Sequence, residues 1–291
     1  IALSAVMFAC NATIADQTAT FVATNTDYAV LDPTHPYYYT YISDIYRQDM
    51  VQNTVENFYL LLTTTLPVDD ADSRPAYDKF NVAIAGNKFF VQPRITSTHD
   101  EVTFRGIYSP MHVNLEQARI NGVDIFTEKN ALIFVNKLLT VAAAASSADV
   151  VFGVTPTQLG VSKDSEPVAY SFVDLHMKGT QVLPRHKNIN DPFFQQKNVG
   201  QEVVLDSKID SWGLGEVLYT LLNLGGLVDD IKFAQDYAKI NNDTTYPISN
   251  KLSVQVLKVL NAALRFEPAN RADLPELKKL LEETIAGNLT Y

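Results

Sequence analysis

The chain has 291 residues, 46% of them hydrophobic and 19% charged, with 14 Tyr and 15 Phe. That supports a large core and argues against disorder. A formal net charge of −10 gives no counterion-release drive toward nucleic acid or anionic membrane surfaces, so both are set aside as partners. The single cysteine, Cys10, excludes an intrachain disulfide and a zinc site built on several thiolates.

The apolar run 1–10 is too short to span a bilayer. It reads either as the tail of a signal segment or as a helix packed on the domain. Asn11, Asn242 and Asn288 each begin an Asn-x-Thr triplet, making them candidate glycosylation acceptors and fitting a secreted chain. Residues 18–29 are rich in Thr, Val and Phe and read as β. Pro33 and Pro36 precede the aromatic cluster Tyr37, Tyr38, Tyr39 and Tyr41, read as packing of this first region or as a face for a partner. Over 43–62 the apolar residues recur at helical spacing, so a helix is expected there. Asp69, Asp70 and Asp72 mark a solvated turn. Strands are expected over 77–93 and 102–108.

Beyond Pro110 the texture changes. A short helix is expected from Leu115, and a long apolar helix over 131–145. Two short β segments, 150–161 and 167–173, flank a turn at Lys163 and Asp164. From Asp210 the chain reads as helical. Strands first, then helices, predicts an α+β fold of two lobes: a β-rich one over 1–110 and a helical one over 111–291.

Asp210-Ser211-Trp212-Gly213-Leu214-Gly215 opens an all-round apolar helix, which must be surrounded by protein. Asp210 stands where an N-cap carboxylate would sit. Phe266-Glu267-Pro268-Ala269-Asn270-Arg271 precedes a last helix with its own start signals, a capping box of Asp273 and Glu276 with Pro275 between them. The two segments resemble the D-x-W-x-x-G helix and the D-P-x-x-R turn of the protein kinase large lobe. Arg271 follows Asp210 by 61 positions, close to the kinase spacing. With the hinge-like stretch from Tyr108 to Glu116, the pattern is similar to the rhoptry-type kinases and pseudokinases that apicomplexan parasites secrete.

That resemblance implies a bilobal kinase-like fold in which Asp210 holds the backbone of the catalytic loop, Trp212 and Gly215 anchor the same helix, and Arg271 pairs with a glutamate ending the activation segment. Glu202 is the nearest candidate for that glutamate. The resemblance also locates the missing chemistry. Phosphoryl transfer needs a glycine-rich loop, a strand Lys paired with a helix Glu, a catalytic Asp, and an Asn and an Asp on Mg²⁺. Phe152-Gly153-Val154 stands in place of His-Arg-Asp, so Val154 takes the catalytic Asp position and Leu159 that of the metal-binding Asn. Phe172 takes the second Asp position about 18 residues on, unless a longer hairpin brings Asp174 there. Leu31 is the best match to the strand Lys, and Glu56 the candidate helix Glu. No glycine precedes Gly86. Residues 181–206 hold no Ser, Thr or Tyr, so no phosphorylation switches that segment.

Apolar residues at these positions leave nothing to hold Mg²⁺ or to neutralise ATP. The expectation is a secreted pseudokinase without catalytic residues, cofactor, metal or bound nucleotide, acting on a protein partner in a parasite vacuole or cyst wall. Two alternatives remain: a divergent kinase that still binds nucleotide, and an allosteric partner of an active kinase.

Overall fold

The computed structural model describes residues 28–30, 33–34, 40–42, 46–53, 58–71, 73–108, 114–170, 175–182, 191, 193, 203–228 and 251–290. A six-stranded antiparallel sheet is built from β1 (Tyr28–Val30), β2 (Thr40–Ile42), β3 (Tyr46–Asn53), β4 (Phe58–Pro67), β5 (Arg94–Ser97) and β6 (Glu101–Tyr108). Its order is β1-β3-β4-β6-β5, with β2 also paired to β3. Helix α1 (Arg74–Ile84) leaves the centre of the sheet after β4 and before the edge strand β5.

Two expectations fail here. The described residues of 43–62 form no helix: β3 and β4 form an antiparallel pair, from Tyr46 opposite Thr64 to Gln52 opposite Phe58. The run Phe58-Tyr59-Leu60-Leu61-Leu62-Thr63-Thr64-Thr65 is rich in aromatic and β-branched residues, which suit a pleated surface. Leu62, Thr64 and Leu66 are buried at every second position, which is the period of a strand. Conversely, much of 77–93 is helix. Tyr77, Phe80 and Ile84 are buried on one face of α1 at spacings of three and four, and Pro75 sits in its first turn.

The remaining helices are α2 (Leu115–Ile120), α3 (Glu128–Ser147), α4 (Lys208–Leu224), α5 (Val254–Ala263) and α6 (Leu274–Ala286). Asn114, Thr127, Ser253 and Asp273 cap four of them through their side chains, and Asp273 and Glu276 form the expected capping box. By length and composition α3 alone among the described helices could cross a membrane. Here Leu132, Phe134, Val135, Leu138, Leu139 and Val141 are buried, and the helix packs against α1, α4 and α6. One apolar cluster runs from Leu62, Leu66 and Phe104 on the sheet through α1 and α3 to Trp212 and Leu281.

Short strands link α3 to α4. They are β7 (Val150–Val151), β8 (Leu159–Val161), β9 (Pro167–Ala169), β10 (His176–Met177), β11 (Gln181–Val182) and β12 (Val203–Val204). They pair as three antiparallel couples, β7 with β10, β8 with β9 and β11 with β12. Glu128 joins two helix starts far apart in sequence. Its buried carboxylate accepts from the backbone N–H of Ser253 at 2.9 Å and from the Ser253 hydroxyl at 2.5 Å.

Candidate functional site

The loop Phe152–Thr155 lies between α1 and α4. Its shape is imposed from below by one side chain. Asp210 Oδ1 accepts hydrogen bonds from the N–H groups of Gly153 at 2.7 Å and Val154 at 3.1 Å, and Oδ2 accepts from that of Phe152 at 3.2 Å. Asp210 is therefore not the N-cap of α4. Ser207 holds that position, and Asp210 sits in the first turn facing the loop. Burial pushes the Asp210 carboxyl up from 3.8 to about 6. The three N–H donors pull it down, and the negative charge of Asp206 adds to the rise.

Two glycines permit this approach. Gly153 adopts φ +74°, a left-handed conformation that suits glycine. Gly213 lies under the loop, where an added Cβ would stand 2.0 Å from the carbonyl oxygen of Val154. Gly215, two residues on, lets Ala263 and Leu264 pack directly on α4.

Above the loop the surroundings are aromatic. Phe80 of α1 stacks on Phe152 with centroids 5.4 Å apart and planes within 5°. Phe90 meets both rings edge-on, at 5.1 Å and 5.7 Å. Val154 and Leu159 are 3% and 2% exposed, so hydrocarbon closes the loop on both sides. Leu159 opens β8 opposite Ala169, and the Tyr170 hydroxyl donates to the carbonyl of Thr157 at 2.9 Å.

Central strand β4 reads Phe-Tyr-Leu-Leu-Leu-Thr-Thr-Thr-Leu-Pro, without lysine or arginine. Helix α1 contains no glutamate. Its Asp78 is bound to Arg74 at 2.9 Å near the surface. Leu31, Glu56, Phe172, Asp174 and the sequons at Asn11 and Asn242 lie outside the described residues; Asn288 is exposed beyond α6. Among the described residues no group of three His, Cys, Asp or Glu side chains is arranged to hold a metal ion.

Arg271 is fully buried beneath Trp212, its guanidinium 5.0 Å from the ring. Among the described residues its carboxylate partner is Asp191. Both terminal nitrogens contact that carboxylate, Nη2 to Oδ1 at 2.8 Å and Nη1 to Oδ2. Nε donates to the carbonyl of Arg265 at 2.6 Å, Nη2 to that of Phe266 at 2.8 Å and Nη1 to that of Lys208 at 3.1 Å. Glu202 itself lies outside the described residues. Glu202 is the nearest glutamate to the end of the segment, whereas Asp191 stands eleven positions before it. Burial pushes the Asp191 carboxyl upward, against the hydrogen bonds and charge of Arg271.

A second bridge spans the outside of the site. Glu166, on the β8–β9 turn, accepts from Lys88 at 3.0 Å and from Lys137 of α3 at 3.3 Å. Burial raises the Glu166 carboxyl, but the two ammonium groups outweigh it and the net shift is downward. Nearby, the segment after α1 is tied to β9, with Val91 N–H to Ala169 O at 2.9 Å and Ala169 N–H to Phe89 O at 2.8 Å. Asp191, Phe80, Phe90 and the Glu128–Ser253 contact were not singled out from sequence. Only Glu128, in the first turn of an apolar helix, carried a local signal there.

No protein-family model matches the chain. No curated protein matches it either. Among solved structures it is similar to ROP2 from Toxoplasma gondii, described as a virulence factor with a protein-kinase fold and no enzymatic activity. The two are 13% identical with a TM-score of 0.54, and the match covers 84% of this chain and 78% of that one. At such identity the likeness speaks for architecture alone, and on that ground the chain has a protein-kinase fold.

Proposed function

We propose that this protein is a pseudokinase: it keeps the internal supports of the kinase fold, transfers no phosphate, and acts by binding another protein. One observation carries the reading. Asp210 grips the backbone of 152–154 while the side chain of Val154 is hydrocarbon buried to 3% exposure. By the resemblance, Val154 occupies the place of the catalytic Asp and Leu159 that of the metal-binding Asn. In a kinase the strand lysine stands on the strand before the helix; taking β4 as that strand, the position carries no lysine. Leu31, the match to this lysine by sequence, lies outside the described residues. On the same reading α1 is the helix that would carry the paired glutamate, and it has none. Hydrocarbon offers a hard cation no oxygen ligand, and burying polyphosphate against it is unfavourable.

The chain is read as two lobes meeting near residue 110, with the sheet in one and α2 to α6 in the other. Within the rhoptry-type family, the proposal likens the chain to the small bradyzoite pseudokinase. Secretion into a parasite vacuole or cyst wall belongs to the same proposal. The test is turnover. Purified protein with ATP, Mg²⁺ and generic acceptor proteins is expected to release no ADP above the blank. ADP release that scales with protein and survives a second purification step would overturn the proposal.

A further inference from the structure

We infer that Asn288 is an acceptor for an N-linked glycan, and that Gln255 holds its sequon in the presenting conformation. This rests on the secretion reading above, since the glycan donor is found only along that route.

The triplet Asn288-Leu289-Thr290 follows α6 without regular secondary structure and is hydrogen-bonded to the start of α5. Its residues alternate. Leu289 is half-buried and packs on the core, and Asn288 and Thr290 on either side of it stay exposed. Gln255 fixes this arrangement. Its Oε1 accepts from the Thr290 N–H at 2.9 Å, and its Nε2 donates to the Asn288 carbonyl at 3.1 Å and to the Thr290 hydroxyl oxygen at 3.1 Å. The Val254 N–H donates to the Thr290 carbonyl at 2.9 Å. All contacts shown for Asn288 use its backbone carbonyl, so among the described residues its side-chain amide faces solvent. A glycan there displaces no core contact.

The transfer uses a lipid-linked oligosaccharyl diphosphate. Asn288 Nδ2 forms a bond to the anomeric carbon, the bond from that carbon to the diphosphate oxygen breaks, the lipid diphosphate leaves, and Nδ2 gives up one proton. Nothing is oxidised or reduced.

The experiment directs the whole chain into the secretory route of cultured animal cells behind a cleavable signal, and maps occupancy by glycopeptide mass spectrometry. The expected result is glycan on Asn288. In an Asn11→Gln, Asn242→Gln background, peptide-N-glycosidase should produce a mobility shift of one glycan. Asn288→Gln and Thr290→Ala should abolish that shift, and Thr290→Ser should keep it. Secreted, folded protein with bare Asn288 overturns the site. Glycan present after forced routing but absent from protein of the native source leaves the site standing and overturns the secretion reading.

Discussion

Asp210→Ala is expected to destabilise the fold by about 3–5 kcal/mol, measured as a lower denaturant midpoint at unchanged slope. Three N–H groups, those of Phe152, Gly153 and Val154, lose their acceptor at once. Asp210 has no exposure, so water does not replace the carboxylate without opening the helix. The pH dependence identifies the group. Its folded value of about 6 lies above the ordinary 3.8. The stabilisation linked to its protonation is therefore fully present below about pH 3.8 and is lost as the pH rises through about 6. Lowering the pH from about 7.5 to about 5 should add roughly 1.4 kcal/mol from this group in the native protein. Asp210→Asn removes that increment. Equal pH slopes for the native protein and Asp210→Asn would contradict the assignment.

Arg271→Met is expected to cost a similar amount, about 3–5 kcal/mol, because it strands the Asp191 carboxylate in the core. It also leaves the carbonyls of Lys208, Arg265 and Phe266 without their donor. Arg271→Lys should recover little, since an ammonium cannot reproduce the two-nitrogen grip on Asp191. The double variant Asp191→Leu, Arg271→Met should be more stable than Arg271→Met alone, because the buried charge is gone from both sides. Additive losses across that cycle would mean that the two groups do not depend on each other. Removing Glu202 should leave stability nearly unchanged, which distinguishes the Asp191 pair from one made with Glu202.

The helical half was legible for physical reasons. The long apolar run of α3 and the capping box of α6 are local signals, and local signals survive into the fold. The same holds for the β8–β9 turn. What misled was periodicity in short apolar runs. Over 43–62 the chance spacing of Met50, Val51, Val55 and Phe58 imitated a helix, although the Thr run and aromatic content of β4 argued for a strand. The helix at 74–84 was masked by the apolar residues that follow it.

For the site, sequence motifs found the ends of long-range contacts but not always their partners. Asp210 and Arg271 stood out because each opens or precedes a helix with its own signature. Asp191 did not, because a lone aspartate in a segment without periodicity carries no mark of what it will meet 80 positions later. The aromatic group of Phe80, Phe90 and Phe152 comes from three separate segments, and only the fold brings it together.

The most direct test of the central claim is a melting scan of the whole chain with millimolar ATP and Mg²⁺. Ligand at about 100 times its Kd would raise stability by about 2.7 kcal/mol, a plain rise in melting temperature. No shift is predicted at any ATP concentration, with or without the metal. A saturating rise that needs both ATP and Mg²⁺ would contradict the account.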